Sequence, residues 1–448
     1  MTDLPKAAHA PRSGPGTARS SKGLAGSLQA APDKSASHRA VIFSALAKGE
    51  SRIEDLLESG DVLATANAVA RLGASVKRSE DGAWRISGAD WTSPAEPLDL
   101  GNSGTGVRLL MGAAARFDLT AVFSGDESLS RRPMARVLDP LATMGAKSQA
   151  REGGRLPATL NGSARLKPIV YSPPVASAQV KSAILLAGLG ADGETTVSEP
   201  RATRAQTEVM APLWGADLDW AREGEGLVAR VRGGRQLTAC DVAIPGDPSS
   251  AAFLIAAALI CPDSEITVRG VMLNEARFGL YETLKEMGAD LDIVPAGERC
   301  GEALVDVTAR TSVLEGVNVP AERAPSMIDE YPILSVLAAF AEGRTQMNGL
   351  AELRAKESDR LAASAALLVA NGVAVELGPD SLAVDGKGPG GVPGGGLVAT
   401  DHDHRLAMSG LVLGLGAQQP VKVDETAMIA TSYPGFFDDM AALGADIG

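Results

Sequence analysis

Residues able to bind or move charge gather in this sequence just ahead of apolar runs. Six such clusters precede long runs: Lys34-Ser35-Ala36-Ser37-His38-Arg39, Gly101-Asn102-Ser103-Gly104-Thr105-Gly106-Val107-Arg108, Ser177-Ala178-Gln179-Val180-Lys181, Asp247-Pro248-Ser249-Ser250, Asp329-Glu330-Tyr331-Pro332 and Asp403-His404-Arg405. Four more precede shorter runs: Arg131-Arg132-Pro133, Arg201-Ala202-Thr203-Arg204, Arg277-Phe278-Gly279 and Arg354-Ala355-Lys356-Glu357-Ser358-Asp359-Arg360. These positions read as helix starts, where unsatisfied N–H groups and partial positive charge favour acids. Arginine or lysine there costs a few tenths of a kcal/mol, roughly, unless an anion lies between the cation and the helix end. Repeated along the chain, the pattern predicts a site for highly charged anions.

Each cluster also has a plainer reading. Ser35, Ser37, Asp247 and Ser358 fit simple N-caps. The glycines of Gly101–Gly106 fit an ordinary turn, with no following Lys-Ser or Lys-Thr to make a phosphate loop. Arg131 and Arg132 fit a solvated pair. Arg354–Arg360 is harder to dismiss, because Lys356 and Arg360 are four apart and predicted to share a helix face, where like charges repel. An anion is expected there. His402, Asp403 and His404 suggest a metal, but a catalytic zinc site takes three protein ligands and the remaining histidines are only His9 and His38. No metal is expected, and Arg405 is the working residue of that helix start.

The elements that would position these residues repeat. An apolar helical stretch closes on a small-residue turn at Leu72-Gly73-Ala74, Met144-Gly145-Ala146, Trp214-Gly215-Ala216, Met287-Gly288-Ala289, Asn371-Gly372-Val373 and Leu443-Gly444-Ala445. A β-type run keeps step: Ser51–Ile53, Ala121–Phe123, Thr195–Val197, Glu265–Val268, Arg344–Met347 and Val421–Val423. Each copy reads as helix, strand, helix, turn, strand. Six copies exceed one hydrophobic core, since cores stop growing near about 250–300 residues, so two lobes of three copies are expected. Pro turns at Ala31-Pro32-Asp33 and Pro245-Gly246-Asp247-Pro248 mark the crossings. The expected division is a flexible tail over 1–26, one lobe from 27–32 plus 245–448, and the other from 33–244.

Composition narrows the function. With 45% hydrophobic and 22% charged residues the chain reads as an ordinary soluble globular protein. Its longest apolar run, Ala251–Cys261, is too short for a membrane span. Cys240, Cys261 and Cys300 are too few and scattered for a disulfide framework, which suits packing roles in a reducing cytoplasm. A net charge of -13 argues against a nucleic-acid surface.

At its polar clusters the chain resembles the 5-enolpyruvylshikimate-3-phosphate (EPSP) synthase family, from about Leu24 to the C-terminus. The specific segments are Leu98–Arg108 and Arg354–Leu361, supported by Asp33–Arg39, Arg132-Pro133-Met134, Ser326–Pro332 and Asp403-His404-Arg405. The resemblance implies an α/β fold of two similar lobes, each of three βαβαββ repeats (an inside-out α/β barrel), with the active site in the cleft between lobes. It implies transfer of the enolpyruvyl group of phosphoenolpyruvate to shikimate 3-phosphate, with no cofactor, in a cytoplasmic monomer of the pathway to chorismate and the aromatic amino acids. Lys34, Gly104, Arg132, Gln179, Arg360 and Arg405 match the family's phosphoenolpyruvate site. Lys34, Ser35, Arg39, Ser177, Ala178, Gln179, Arg204, Asp329 and Lys356 match its shikimate 3-phosphate site. Asp329 and Glu357 match the acid–base carboxylates, with Lys34 as a catalytic cation. Two departures stand out: Pro32 replaces a usual glycine, and Thr431 stands where many members carry lysine. Gly104, lacking Cβ, implies a roomy pocket wall, so alanine there should exclude the inhibitor glyphosate more than the shorter substrate. The alternatives are the sister transferase acting on UDP-N-acetylglucosamine, whose mobile-loop cysteine has no counterpart here, and a non-catalytic anion-binding repeat protein.

Overall fold

The computed structural model describes residues 12–448. The chain forms two compact units. One comprises Pro32–Pro245 with Arg299–Gly301; the other comprises the described residues up to Ala31, Gly246–Glu298 and Glu302–Gly448.

In the first unit the second copy shows the plan. Strand Leu98–Asp99 lies parallel to Thr120–Ser124, which is antiparallel to Arg155–Asn161, itself antiparallel to Lys147–Arg151. Parallel neighbours need a crossover, and helix Gly104–Ala114 supplies it. The other two sheets of this unit share the order, with Lys34–Leu46 and Ala178–Gly188 as inner helices. In the second unit the inner helices are Pro248–Ile260, Tyr331–Phe340 and His404–Gly416. These helices are apolar on every side because they are buried on every side, as Pro248–Ile260 is along its whole length. Burial pushes the Cys261 thiol at its end up to about 12.

The repeat expected from sequence is present. Every predicted β-run lies in a strand, for example Thr195–Val197 within Glu194–Glu199. All six turn glycines, Gly73, Gly145, Gly215, Gly288, Gly372 and Gly444, take positive φ. Only glycine reaches that conformation cheaply, so the phrase marks where each outer helix stops.

Three expectations are corrected. The segment 12–26 is not a loose tail: Gly16–Ala18 pairs with Val421–Val423, Leu24 is fully buried, and Ala25–Gln29 lies parallel to Glu265–Arg269 as the first strand of the fourth copy. Residues 1–11 lie outside the described residues. The caps differ too: Asp33, not Ser35 or Ser37, accepts from the Ala36 N–H, and Asp359, not Ser358, accepts from Ala362. Because Asp359 starts the helix, Lys356 precedes it in extended conformation and shares no helix face with Arg360.

Candidate active site

In the first unit, three inner-helix starts present the predicted groups. Lys34 opens its helix with Nζ 2.5 Å from Asp61, the acid in the first turn of helix Gly60–Leu72. One turn on, the buried Arg39 donates to Thr207 Oγ1 (2.8 Å), Ser182 Oγ (2.9 Å) and the Ser35 carbonyl (3.0 Å). Between them His38 is enclosed by Thr65 Oγ1 (2.8 Å) and Ser103 Oγ (3.5 Å). Burial, with help from the Lys34 and Arg39 charges, holds this imidazole well below its ordinary value despite Asp33.

The second start is tightly built. Ser103 caps the helix through the Gly106 N–H, and the Gly104 backbone lies beside two guanidinium groups. A Cβ on Gly104 would stand 2.9 Å from Arg132 Nη1 and 3.0 Å from Arg108 Nη1. The roomy wall inferred from the missing Cβ is therefore corrected: arginine fills the space. Arg132 is fixed by Asn102 (2.6 Å) and Ser128 (3.2 Å), and Arg108 donates to Gln179 Oε1 (2.6 Å), whose amide reaches Thr105 Oγ1 (2.8 Å). At the third start Ser177 makes no side-chain cap, Ala178 is the first helical residue, and Arg204 lies in the segment just before helix Gln206–Met210.

In the second unit the carboxylates and cations interlock. Arg360 is 1% exposed; its Nε donates to Asp403 Oδ2 (2.7 Å), Nη1 to Asp329 Oδ1 (3.0 Å), and Nη2 lies 2.5 Å from Glu357 Oε2. Burial alone would lower this guanidinium's affinity for its proton, but Asp403, Glu357 and Asp329 outweigh it and hold Arg360 above the ordinary range. Lys356 Nζ approaches the same Asp329 oxygen at 3.6 Å. Both cations thus face one carboxylate of the protein. Arg405 donates to the Asp329 carbonyl (3.1 Å), and its buried Nε has no hydrogen-bond partner among the described residues. A buried guanidinium N–H without an acceptor is costly, and suits an anion.

Sequence reasoning missed several supporting groups. Asp403 was passed over for Arg405, yet it caps that helix through the Arg405 N–H and pairs Arg360. Asp61 and Arg108 were passed over too. Asp403 carried a legible signal, an acid directly ahead of a helix start. Among the described residues no group of three or more His, Cys, Asp and Glu is arranged to hold a metal.

The description "EPSP synthase (3-phosphoshikimate 1-carboxyvinyltransferase)" belongs to a family whose model matches residues 18–440. The chain belongs to this family. A 3-phosphoshikimate 1-carboxyvinyltransferase of Maricaulis maris is 58% identical over 434 residues, covering 96% of this chain and 97% of that protein. The solved EPSP synthase of Acinetobacter baumannii superposes with a TM-score of 0.85 at 38% identity, covering 97% of this chain and 99% of that one. The enolpyruvyl transferase NikO of Streptomyces tendae, at 20% identity and TM-score 0.77 over 98% of this chain and 99% of its own, shares the fold. As an EPSP synthase family member the chain is an enolpyruvyl transferase with that family's α/β fold. No helix among the described residues is long and apolar enough to cross a membrane.

Proposed function

We propose that this enzyme joins phosphoenolpyruvate to the 5-hydroxyl of shikimate 3-phosphate and releases phosphate. The observation that carries the assignment of roles is Arg360, which ties Asp329 and Glu357 to one buried cation. In the reaction the hydroxyl oxygen attacks C2 of phosphoenolpyruvate as C3 takes a proton. The tetrahedral intermediate then loses phosphate from C2 and a proton from C3, restoring the double bond. Two carboxyl groups that exchange acid and base roles serve both halves. Asp329 and Glu357 fill those roles, while Lys34 and Lys356 stabilise charge on the hydroxyl and the leaving group.

The charge count in the second unit supports this. Lys356, Arg360 and Arg405 face Asp329, Glu330, Glu352, Glu357 and Asp403, so carboxylates outnumber cations before an anion is added. An arriving phosphate or carboxylate competes with Glu357 for Arg360 and favours the proton-bearing form of a carboxyl beside it, which is the acid the first half requires. Phosphoenolpyruvate would engage Lys34, Gly104, Arg132, Gln179, Arg360 and Arg405. Shikimate 3-phosphate would engage Lys34, Ser35, Arg39, Ser177, Ala178, Gln179, Arg204, Asp329 and Lys356. Arginine suits their planar carboxylate and phosphate faces by paired N–H donation.

We place the enzyme in the cytoplasm as a monomer acting on small anions, without nucleic-acid partners; the net charge of -13 supports the last point. The test is phosphate release from phosphoenolpyruvate, without added metal, with shikimate 3-phosphate and in parallel with UDP-N-acetylglucosamine. Release with the first alone is expected; release with the second would assign the sister reaction.

A further inference from the structure

Beneath the third inner-helix start of the first unit lies a buried charge cluster that the reaction does not use. Glu199 ends strand Glu194–Glu199 and is 3% exposed. Its Oε1 accepts from the Ser177 N–H (3.2 Å) and the Thr203 hydroxyl (2.8 Å). Its Oε2 accepts from the Thr203 N–H (3.2 Å) and lies 2.8 Å from Lys181 Nζ. Lys181 in turn lies 2.8 Å from Glu208 Oε1, and all three side chains are fully buried.

We propose that Glu199 is a positioning residue for shikimate 3-phosphate: one carboxylate clamps both segments that reach this substrate, Ser177-Ala178 on one side and Thr203-Arg204 on the other. The inference rests on the assignment of Ser177 and Arg204 given above. Ser177 spends no hydroxyl bond on capping its helix; its carbonyl accepts from the Lys181 N–H (3.0 Å), and its own N–H is held by Glu199. Arg204 follows Thr203 directly, and Thr203 is bound through both its N–H and its hydroxyl. The Ala202 N–H also ties this loop, to the Glu225 carbonyl at 2.7 Å. Lys181 makes the buried carboxylate tolerable, since an unpaired buried charge would not persist. Glu208 shares that lysine but its carboxylate makes no hydrogen bond to Ser177, Thr203 or any other group among the described residues, so it meets the same cation without the clamp.

Glutamine at 199 keeps the shape but offers N–H groups where Oε2 accepted, toward Lys181 and the Thr203 N–H. Loss of such charge-assisted bonds corresponds to about tenfold or more in affinity. The experiment measures the dissociation constant of shikimate 3-phosphate alone, both KM values and thermal stability for Glu199→Gln, Glu208→Gln, Thr203→Val, Ser177→Ala and Arg204→Ala. The expected result is that Glu199→Gln weakens shikimate 3-phosphate about tenfold and leaves the phosphoenolpyruvate KM within about twofold. Glu208→Gln should lower stability and leave that affinity unchanged. Thr203→Val, which keeps every charge, should weaken it about threefold and stands in if Glu199→Gln does not fold. Equal stability losses in the two Glu variants with no change in affinity would overturn the proposal, as would an equal loss of affinity in both. If Ser177→Ala and Arg204→Ala leave binding intact, the site assignment itself fails and the proposal with it; if they weaken binding while Glu199→Gln and Thr203→Val do not, only the proposal fails.

Discussion

Replacing Asp403 by alanine should damage stability and phosphoenolpyruvate binding together. Asp403 is fully buried, pairs Arg360 through Nε at 2.7 Å and Nη2 at 3.4 Å, accepts from Ser358 at 3.2 Å, and caps helix His404–Gly416 through the Arg405 N–H at 2.9 Å. Removing one partner of a buried pair costs about 3–5 kcal/mol, and losing a cap about 1 kcal/mol more. Asp329 and Glu357 remain beside Arg360, which places the total at the lower end, about 4 kcal/mol. For a domain of 150–250 residues, roughly 2–4 °C accompanies each kcal/mol, so the melting temperature should fall by about 8–16 °C. Arg360 would swing wholly onto Asp329 and Glu357, and the phosphoenolpyruvate KM should rise several-fold more than that of shikimate 3-phosphate. Asp403→Asn, which keeps an acceptor for the cap, should fall between. The assay is melting at one scan rate with steady-state kinetics under both substrates. A melting shift below about 2 °C with both KM values unchanged would refute the argument that Asp403 anchors Arg360.

Three further outcomes follow from the geometry. Gly104→Ala would drive a Cβ to 2.9 Å from Arg132 Nη1 and 3.0 Å from Arg108 Nη1, so it should raise the phosphoenolpyruvate KM and leave that of shikimate 3-phosphate nearly unchanged; equal changes in steady-state kinetics would count against it. Gly112→Ala would place a Cβ 2.2 Å from the Ala183 carbonyl oxygen, forcing apart the helices that carry Gly104 and Gln179, and should cost about 3 kcal/mol or more in chemical denaturation. His38 is held neutral by burial, so the unfolded chain takes the proton first: its contribution is fully present above about pH 6.5 and drains as pH falls, by about 1.4 kcal/mol per pH unit, until the folded imidazole titrates. His38→Asn should flatten that slope in denaturation curves between about pH 4.5 and 6.5, and an unchanged slope would show that other groups set it.

The repeat was legible because each outer helix must stop on a glycine of positive φ, a chemical demand that sequence displays openly. The cation clusters were legible because lysine and arginine sit where helix starts favour acids. The strands near the N-terminus were not, because Gly16–Ala18 and Ala25–Gln29 are short, small-residue segments without alternation, and their partners lie near Val421 and Glu265. Asp403 escaped for a related reason: its pairing with Arg360 spans 43 residues and appears only after folding. Lys356 was misplaced because a four-residue spacing suggests a shared helix face, whereas the cap at Asp359 starts the helix too late to include it.

The central claim is that Asp329 and Glu357, gathered by Arg360, move the protons of enolpyruvyl transfer. Single-turnover phosphate release from phosphoenolpyruvate and shikimate 3-phosphate, comparing wild type with Asp329→Asn and Glu357→Gln at saturating substrates, tests it most directly. Each variant should be slowed by about 10²–10⁴-fold. Release within a few-fold of wild type in either variant would contradict the assignment of that carboxylate.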